Sequence, residues 1–267
     1  MHNFCFLFYS PWHFANFLNN NLVMKHVNFL FFALVLAACL TVDGNAQDSN
    51  ANLTGAWQRG PEENRIIWIN SAKHFAAIVY NAKENKFLGT CGGTWKVEGN
   101  SFVEVHEFNT MKAELIGKEL KTTIEMKDDK LIFKMKEGDE EWTRIDDGGP
   151  GKLAGAWVIT GRVNDGQVRK MTPGARKTMK ILSGTRFQWI AYNSETKEFF
   201  GTGAGTYTTE NGKYVETIDV FSRDNNRVGM KLEFTFSVED GDWHHNGLSS
   251  KGEPVNEIWT KREKLGL

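Results

Sequence analysis

The chain has 267 residues, and its 32 basic and 33 acidic side chains leave it almost neutral at pH 7. This balance argues against nucleic acid or an anionic membrane surface as the main partner, because either would favour a basic excess. Hydrophobic residues make up 40% of the chain, which is enough for one or two packed cores.

The first 46 residues carry the pattern of an export signal. Lys25 precedes an apolar run from Phe29 to Val42, and small and polar residues follow that run. This order is typical of a secretory signal peptide with cleavage after Ala46, and the run is short for a membrane-spanning helix. The residues before Met24 are interpreted as translation from an upstream start codon. We therefore expect an exported protein, located in the periplasm or outside the cell.

A second interpretation of the same segment stays open. Leu36-Ala37-Ala38-Cys39 resembles the cleavage box of bacterial lipoproteins, in which the cysteine becomes the lipidated first residue. Cys39 would then anchor the protein in the bacterial outer membrane, and this anchor is the one membrane contact that the sequence predicts. In the body of the chain Cys91 is the one cysteine, so no cysteine cluster for zinc is predicted.

The body of the chain is a tandem duplication. Residues 75–107 align without a gap with residues 187–219, and twelve of the thirty-three positions are identical. We therefore expect one domain over residues 47–147 and a second over residues 148–267. The copies also share their entries and exits, which read "LTGAW" (53–57) and "LAGAW" (153–157), then "EEWTR" (140–144) and "NEIWTK" (256–261).

Each copy divides into about eight short strand signals separated by turns. The glycine-rich run "FFGTGAGTY" (199–207) is not a phosphate-binding loop, because a strand pattern rather than a helix follows it. Its alternating glycines indicate a sharply coiled strand or the close approach of another chain segment. The sequence predicts an all-β fold, with two tandem antiparallel up-and-down barrels of about eight strands each.

The first strand of each copy opens on a short motif, Gly55-Ala56-Trp57 or Gly155-Ala156-Trp157. The motif resembles the Gly-x-Trp signature of the lipocalin/calycin family, and the whole pattern is similar to small lipocalin-like domains of uncharacterised bacterial secreted proteins. The resemblance implies that each tryptophan closes one barrel end and that a basic residue of the last strand stacks on it. The matching basic residues are Arg144 for Trp57, and Lys261 (or Arg262) for Trp157. Each copy is shorter than a typical lipocalin, which leaves less interior space for a ligand.

Alternation along the strands places Glu104 and its counterpart Glu216 inside the barrels, where a carboxylate needs a partner. We expect His106 to pair with Glu104, and His245 to pair with Glu216. His245 and Gly247 replace Phe133 and Met135 of copy one, which should open space in the second barrel. The predicted ligand-binding residues are therefore Trp189, Tyr207, Glu216, Trp243 and His245. The alternative is a satisfied polar pair within a barrel that side chains fill.

The sequence contains no recognisable catalytic motif, and we assign no catalytic residue, cofactor or metal site. His244 and His245 are adjacent on a strand and face opposite ways, so they do not form a metal site by themselves. The leading hypothesis is an exported, non-enzymatic protein that binds a small apolar or amphipathic molecule in a barrel. The alternative is a structural or interaction module of the cell envelope with filled barrels. An enzyme that uses Glu216 and His245 for acid–base chemistry is a third hypothesis.

Overall fold

A computed structural model describes residues 53–149 and 151–267 of the chain. The predicted signal peptide, its cleavage site and Cys39 lie outside these residues. Both barrels fall within one compact unit. Within the described residues, no helix has the length and hydropathy needed to cross a membrane.

The first copy forms a closed antiparallel barrel in which each strand pairs with the next and the last pairs with the first. Its strands are β1 (Gly55–Arg59), β2 (Arg65–Asn70), β3 (His74–Asn81), β4 (Lys86–Glu98), β5 (Ser101–Asn109), β6 (Glu119–Lys127), β7 (Lys130–Phe133) and β8 (Glu140–Asp146). Short 3₁₀ turns lie at Glu62–Asn64 and Ala113–Leu115.

The second copy repeats this topology with one added strand. Its strands are β9 (Gly155–Asn164), β10 (Gln167–Lys170), β11 (Arg176–Leu182), β12 (Arg186–Asn193), β13 (Phe199–Glu210), β14 (Lys213–Phe221), β15 (Lys231–Glu239), β16 (Asp242–Leu248) and β17 (Pro254–Lys261). The barrel closes because β9 pairs with both β11 and β17, while β10 extends β9 as an outlying hairpin. Short 3₁₀ turns lie at Asn225–Arg227 and Arg262–Leu265. The predicted all-β fold of two tandem eight-stranded barrels is confirmed.

The glycine-rich strands owe their composition to the coiling of the barrels. Both copies have a register shift at the same place, between Gly92 and Gly93 in β4 and between Ala204 and Gly205 in β13. A Cβ added at Gly93 would lie 2.8 Å from the backbone nitrogen of Glu107 and closer still to the carbonyl oxygen of the neighbouring strand. The glycines therefore allow two backbones to approach at a β-bulge.

The two barrels are joined by an apolar interface built from the same strands of each copy. Ile69 and Ile78 of the first barrel and their counterparts Ile181 and Ile190 belong to one buried cluster between the barrels. Phe108, which strand alternation places inside the first barrel, instead packs in this cluster, with its ring 4.8 Å from that of Tyr192. The register shift in the β4–β5 pair changes the face that Phe108 presents.

Polar contacts fix the relative position of the barrels. The Gln188 side-chain amide donates to the hydroxyls of Thr90 (2.8 Å) and Thr202 (3.1 Å), which are equivalent residues of the two copies. Asp146, at the end of β8, accepts hydrogen bonds from Ser183 and Thr185 of the second barrel, at 2.7 Å from the Ser183 hydroxyl. The apolar pairs of the interface are thus equivalent in the two copies, as in a homodimer, while these polar contacts are made by one copy only, since Gln188 corresponds to Ala76 in the first.

Candidate functional site

The Gly-x-Trp motifs lie at barrel ends beside the basic residues named from the resemblance. The Arg144 guanidinium carbon lies 4.0 Å from the ring centroid of Trp57, and the Lys261 ammonium lies 5.2 Å from that of Trp157. Each indole nitrogen donates to a backbone oxygen four residues earlier, at 3.0 Å for Trp57 and 2.8 Å for Trp157. Such cation–π contacts stabilise a protein by roughly 0.5–1 kcal/mol at exposed sites and more when desolvated.

The five residues predicted to bind a ligand all contribute to the interior of the second barrel, but they do not form one surface. Trp243 and His245 are in contact, with ring centroids 5.1 Å apart. The Tyr207 hydroxyl donates to the carbonyl oxygen of Ser183 at 2.6 Å, so it is engaged by the turn before β12. Trp189 is half-buried, and its ring lies 5.5 Å from that of Phe221.

A residue that the sequence analysis did not select, Lys180, lies at the centre of this interior. Lys180 on β11 is only 4% exposed, and its ammonium donates to Glu216 Oε1 at 2.7 Å. The Tyr214 hydroxyl donates to the same carboxylate oxygen at 2.7 Å. Burial, followed by the charge of Glu216, raises the pKa of Tyr214 well above its ordinary value, which keeps the phenol protonated as a donor.

Four aromatic rings surround the Lys180 ammonium. Its nitrogen lies 5.1 Å from the ring centroid of Tyr214, 5.2 Å from that of Trp243, 5.6 Å from that of Trp259 and 5.9 Å from that of Phe187. An ammonium within about 6 Å of an aromatic face is attracted by the ring quadrupole, and more strongly when water is excluded. The equivalence of the two copies could have drawn attention to this residue. Lys180 pairs with Trp157 in the second barrel, as its counterpart Trp68 pairs with Trp57 in the first.

His245 does not pair with Glu216. Among the described residues no hydrogen bond joins the two, and the His245 Nδ1 atom lies 3.7 Å from Glu257 Oε2. Burial and the charge of Lys180 lower the pKa of His245 below 6.5, against the attraction of Glu257 and Glu216. Within the described part of the chain, both ring nitrogens of His245 and the indole nitrogen of Trp243 are buried without a hydrogen-bond partner.

The space that Gly247 was expected to open is occupied. A Cβ added at Gly247 would lie 2.5 Å from Cδ1 of Phe234, and the rings of Phe234 and His245 are 4.1 Å apart. The expectation of a wider second barrel at this position is therefore wrong. The expectation rested on a comparison of β16 with β7 alone. It did not include Phe234 of the neighbouring strand β15, whose ring fills the space beside Gly247.

The first barrel is filled by aromatic side chains. Trp68, Phe102, Phe133 and Trp142 are at most 1% exposed and pack edge to face, with centroids 5.3–5.6 Å apart around Trp68. Deeper in the same barrel, Glu104 Oε1 and His106 Nε2 are 3.3 Å apart. His106 Nδ1 also lies 2.9 Å from the Asn109 side-chain amide. The predicted neighbours Glu104 and His106 are thus in contact.

A pocket of about 380 Å³ lies between the barrels, at the ends that carry the Gly-x-Trp motifs. Equivalent segments of the two copies line it, namely the approaches to β1 and β9 and the turns after β2 and β11. Ala72 and Ala154 contribute apolar surface, and Lys261 and Glu263 contribute opposite charges. Burial raises the pKa of Glu263, but its contact with His74 outweighs this and leaves the pKa below its ordinary value.

Residues 152–265 match a domain of unknown function, DUF4488. The match extends from just before β9 to the end of the chain's last turn, so it falls on the second barrel. No curated protein gives a significant match. Across residues 53–149 and 151–267, no group of three or more histidine, cysteine, aspartate or glutamate side chains is placed to hold a metal ion.

Proposed function

We propose that this is an exported, non-enzymatic protein that binds a small apolar or amphipathic molecule in the pocket between its two barrels. The observation that carries the proposal is the pocket itself, at about 380 Å³. Pockets for small molecules occupy roughly 300–1,000 Å³ and occur preferentially between domains.

The lining of the pocket suits an amphipathic ligand. Ala72 and Ala154 offer apolar contacts, while Lys261 and Glu263 offer a cation and an anion. A molecule with an apolar body and a polar group could bury the first and leave the second near these charges. Ligand pockets generally combine a mainly apolar lining with a few placed polar groups.

The barrel interiors are less suited to a ligand, because their own side chains fill them. Phe234 occupies the space beside Gly247, and Lys180 occupies the centre of the second barrel. The placement of a ligand against Trp243 and His245 remains a prediction from the sequence. The Trp243 indole nitrogen and His245 Nε2 favour it, because neither has a hydrogen-bond partner among the described residues and a buried polar group without one costs roughly 1–3 kcal/mol.

The remaining parts of the proposal rest on sequence pattern and side-chain pairing. Export is supported by the n-, h- and c-region order of residues 24–46, and a lipocalin-like identity by the Gly-x-Trp motifs with their stacked cations. The proposal that the protein is not an enzyme is supported by the partners of Glu216. Its carboxylate accepts from Lys180 and Tyr214 and does not form an acid–base pair with His245.

Native mass spectrometry of the protein purified from its own host tests the proposal and locates the ligand. We expect wild type and His245→Phe to retain a small molecule, and Ala72→Trp to lose it. Ala72 is exposed at the pocket, so the larger ring should fill the pocket without disturbing a core. Lys73→Trp is the matched control, because Lys73 is the exposed neighbour of Ala72 and is not part of the pocket lining. Loss in His245→Phe with retention in Ala72→Trp would move the ligand into the second barrel.

A second candidate function is a structural or interaction module of the cell envelope with filled barrels. The packing of Trp68, Phe102, Phe133 and Trp142 in the first barrel favours it. This candidate predicts that wild type carries no small molecule in the same measurement.

A further inference from the structure

The second barrel contains a complete environment for an organic cation. The Lys180 ammonium is 2.7 Å from the Glu216 carboxylate and has four aromatic rings within 6 Å. Both members of the ion pair are about 95% buried as side chains. A carboxylate combined with several aromatic faces is the arrangement by which proteins bind alkylammonium ions.

The first barrel shows that the fold does not require this arrangement. Trp68 takes the position of Lys180, and Phe102 takes that of Tyr214, as the strand registers show. Leu131 and Phe133 stand where the second barrel has Trp243 and His245. An apolar indole therefore fills the same volume in one copy, while the other copy holds a cation together with its carboxylate and its phenol donor.

The polar set of the second barrel is coupled. A buried ammonium without a counter-charge would be strongly unfavourable, and so would a buried carboxylate without its cation. Lys180 is connected to the barrel wall through a flexible chain of methylene groups. Glu216 and the four rings therefore contact its ammonium group and not its backbone. A free ammonium ion of similar size could make the same contacts.

We propose that the interior of the second barrel is a binding site for primary alkylammonium ions, occupied in this chain by its own Lys180. The inference is independent of the pocket between the barrels. It implies that wild type takes no external cation here, because Lys180 already fills the site. It also implies that truncating Lys180 exposes a site that a free alkylammonium ion can enter.

The test uses the Lys180→Ala variant of the full chain and propylammonium chloride, which supplies the three carbons and the ammonium that the variant lacks. We expect propylammonium to raise the midpoint of thermal unfolding of the variant and to bind it at least about tenfold more tightly than 1-propanol, its neutral analogue. Sodium chloride at equal concentration controls for ionic strength. Wild type should show no shift. Equal effects of propylammonium and 1-propanol on the variant, or an equal shift in wild type, would overturn the proposal.

A second experiment removes the Glu216 carboxylate. Lys180→Ala combined with Glu216→Gln should lose most of the preference for propylammonium over 1-propanol, because the counter-charge is gone. If the Lys180→Ala variant does not fold in buffer, refolding is compared with propylammonium and with 1-propanol present. Folding restored by the ammonium alone supports the site, and restoration by neither or by both contradicts it.

Discussion

The tight approach of β13 and β14 at Gly205 leads to a sharp prediction about Gly205→Ala. A Cβ at this position would lie 2.9 Å from the backbone nitrogen of Asp219 and closer still to the Thr217 carbonyl oxygen. These are backbone atoms of a paired strand, so they cannot rotate away as a side chain could. The strands must separate instead, with the loss of one or two ladder hydrogen bonds at about 1 kcal/mol each and added packing strain of about 1–3 kcal/mol.

The expected loss in the free energy of unfolding is therefore about 3 kcal/mol, which corresponds to a fall in Tm of roughly 6–12 °C for a domain unit of this size. Gly174→Ala is the matched control. Gly174 does not have a left-handed φ, and a Cβ there would meet no atom within 4 Å. We expect its stability to be unchanged or raised by up to about 1 kcal/mol. Thermal and urea unfolding followed by circular dichroism would compare the two. A loss below about 1 kcal/mol in Gly205→Ala would refute the argument that close backbone approach determines the glycine pattern.

Three further predictions concern polar groups that are buried or half-buried. Arg262→Ala should destabilise the protein by about 1–3 kcal/mol in urea unfolding, because the Glu107 carboxylate loses the guanidinium that now donates to it at 2.7 Å and keeps only Tyr192 and Lys177. Asp146→Asn should make the free energy of unfolding fall less steeply as the pH is lowered. Burial raises the pKa of Asp146, but hydrogen bonds from Thr185 and Ser183 outweigh this and hold the pKa below its ordinary value, so Asp146 contributes stability that is lost as the pH falls. His245→Phe should fold normally and show a smaller decline in stability below pH 6.5. The pKa of His245 is lowered in the folded state, so the unfolded chain takes up its proton first as the pH falls through 6.5, and acid favours unfolding. If the free energy of unfolding of Asp146→Asn or of His245→Phe depends on pH as it does in wild type, the corresponding assignment is contradicted.

The fold was predictable from the sequence because its main determinants are local. Short alternating strands, tight turns and the gapless match between residues 75–107 and 187–219 are each visible without a structure. The positions of Arg144 and Lys261 over the two tryptophans were expected from the resemblance to lipocalins, and the pairing of the last strand with the first brings them there.

The interface between the barrels was missed although the sequence carries a signal for it. Residues Phe75–Tyr80 of β3 are apolar at six consecutive positions, and all are buried. A barrel strand with one face toward water should alternate instead, so an unbroken apolar run indicates a strand that is covered on both faces. The outer face of this strand packs against the second barrel.

Lys180 could not be recognised from composition or alternation alone. A lysine on a strand is usually exposed, and its burial depends on Glu216 of β14 and on rings supplied by β12, β14, β16 and β17. These residues are brought together only by barrel closure. The same is true of the pocket between the barrels, whose lining comes from both copies and whose shape depends on how they pack.

Several positions at which the two copies meet carry the same residue in both. One buried cluster between the barrels contains three equivalent pairs, namely Ile69 and Ile181, Ile78 and Ile190, and Tyr80 and Tyr192. A substitution at any of these positions would alter the packing of both copies. Inside the barrels, Trp68 packs in the core of the first copy and Lys180 packs among the rings of the second. A nearly symmetric interface of this kind is self-complementary, and either barrel alone would expose an apolar face that fits its own kind. The two halves are thus joined through their outer faces, while the interior of the first barrel holds an indole where that of the second holds a buried cation.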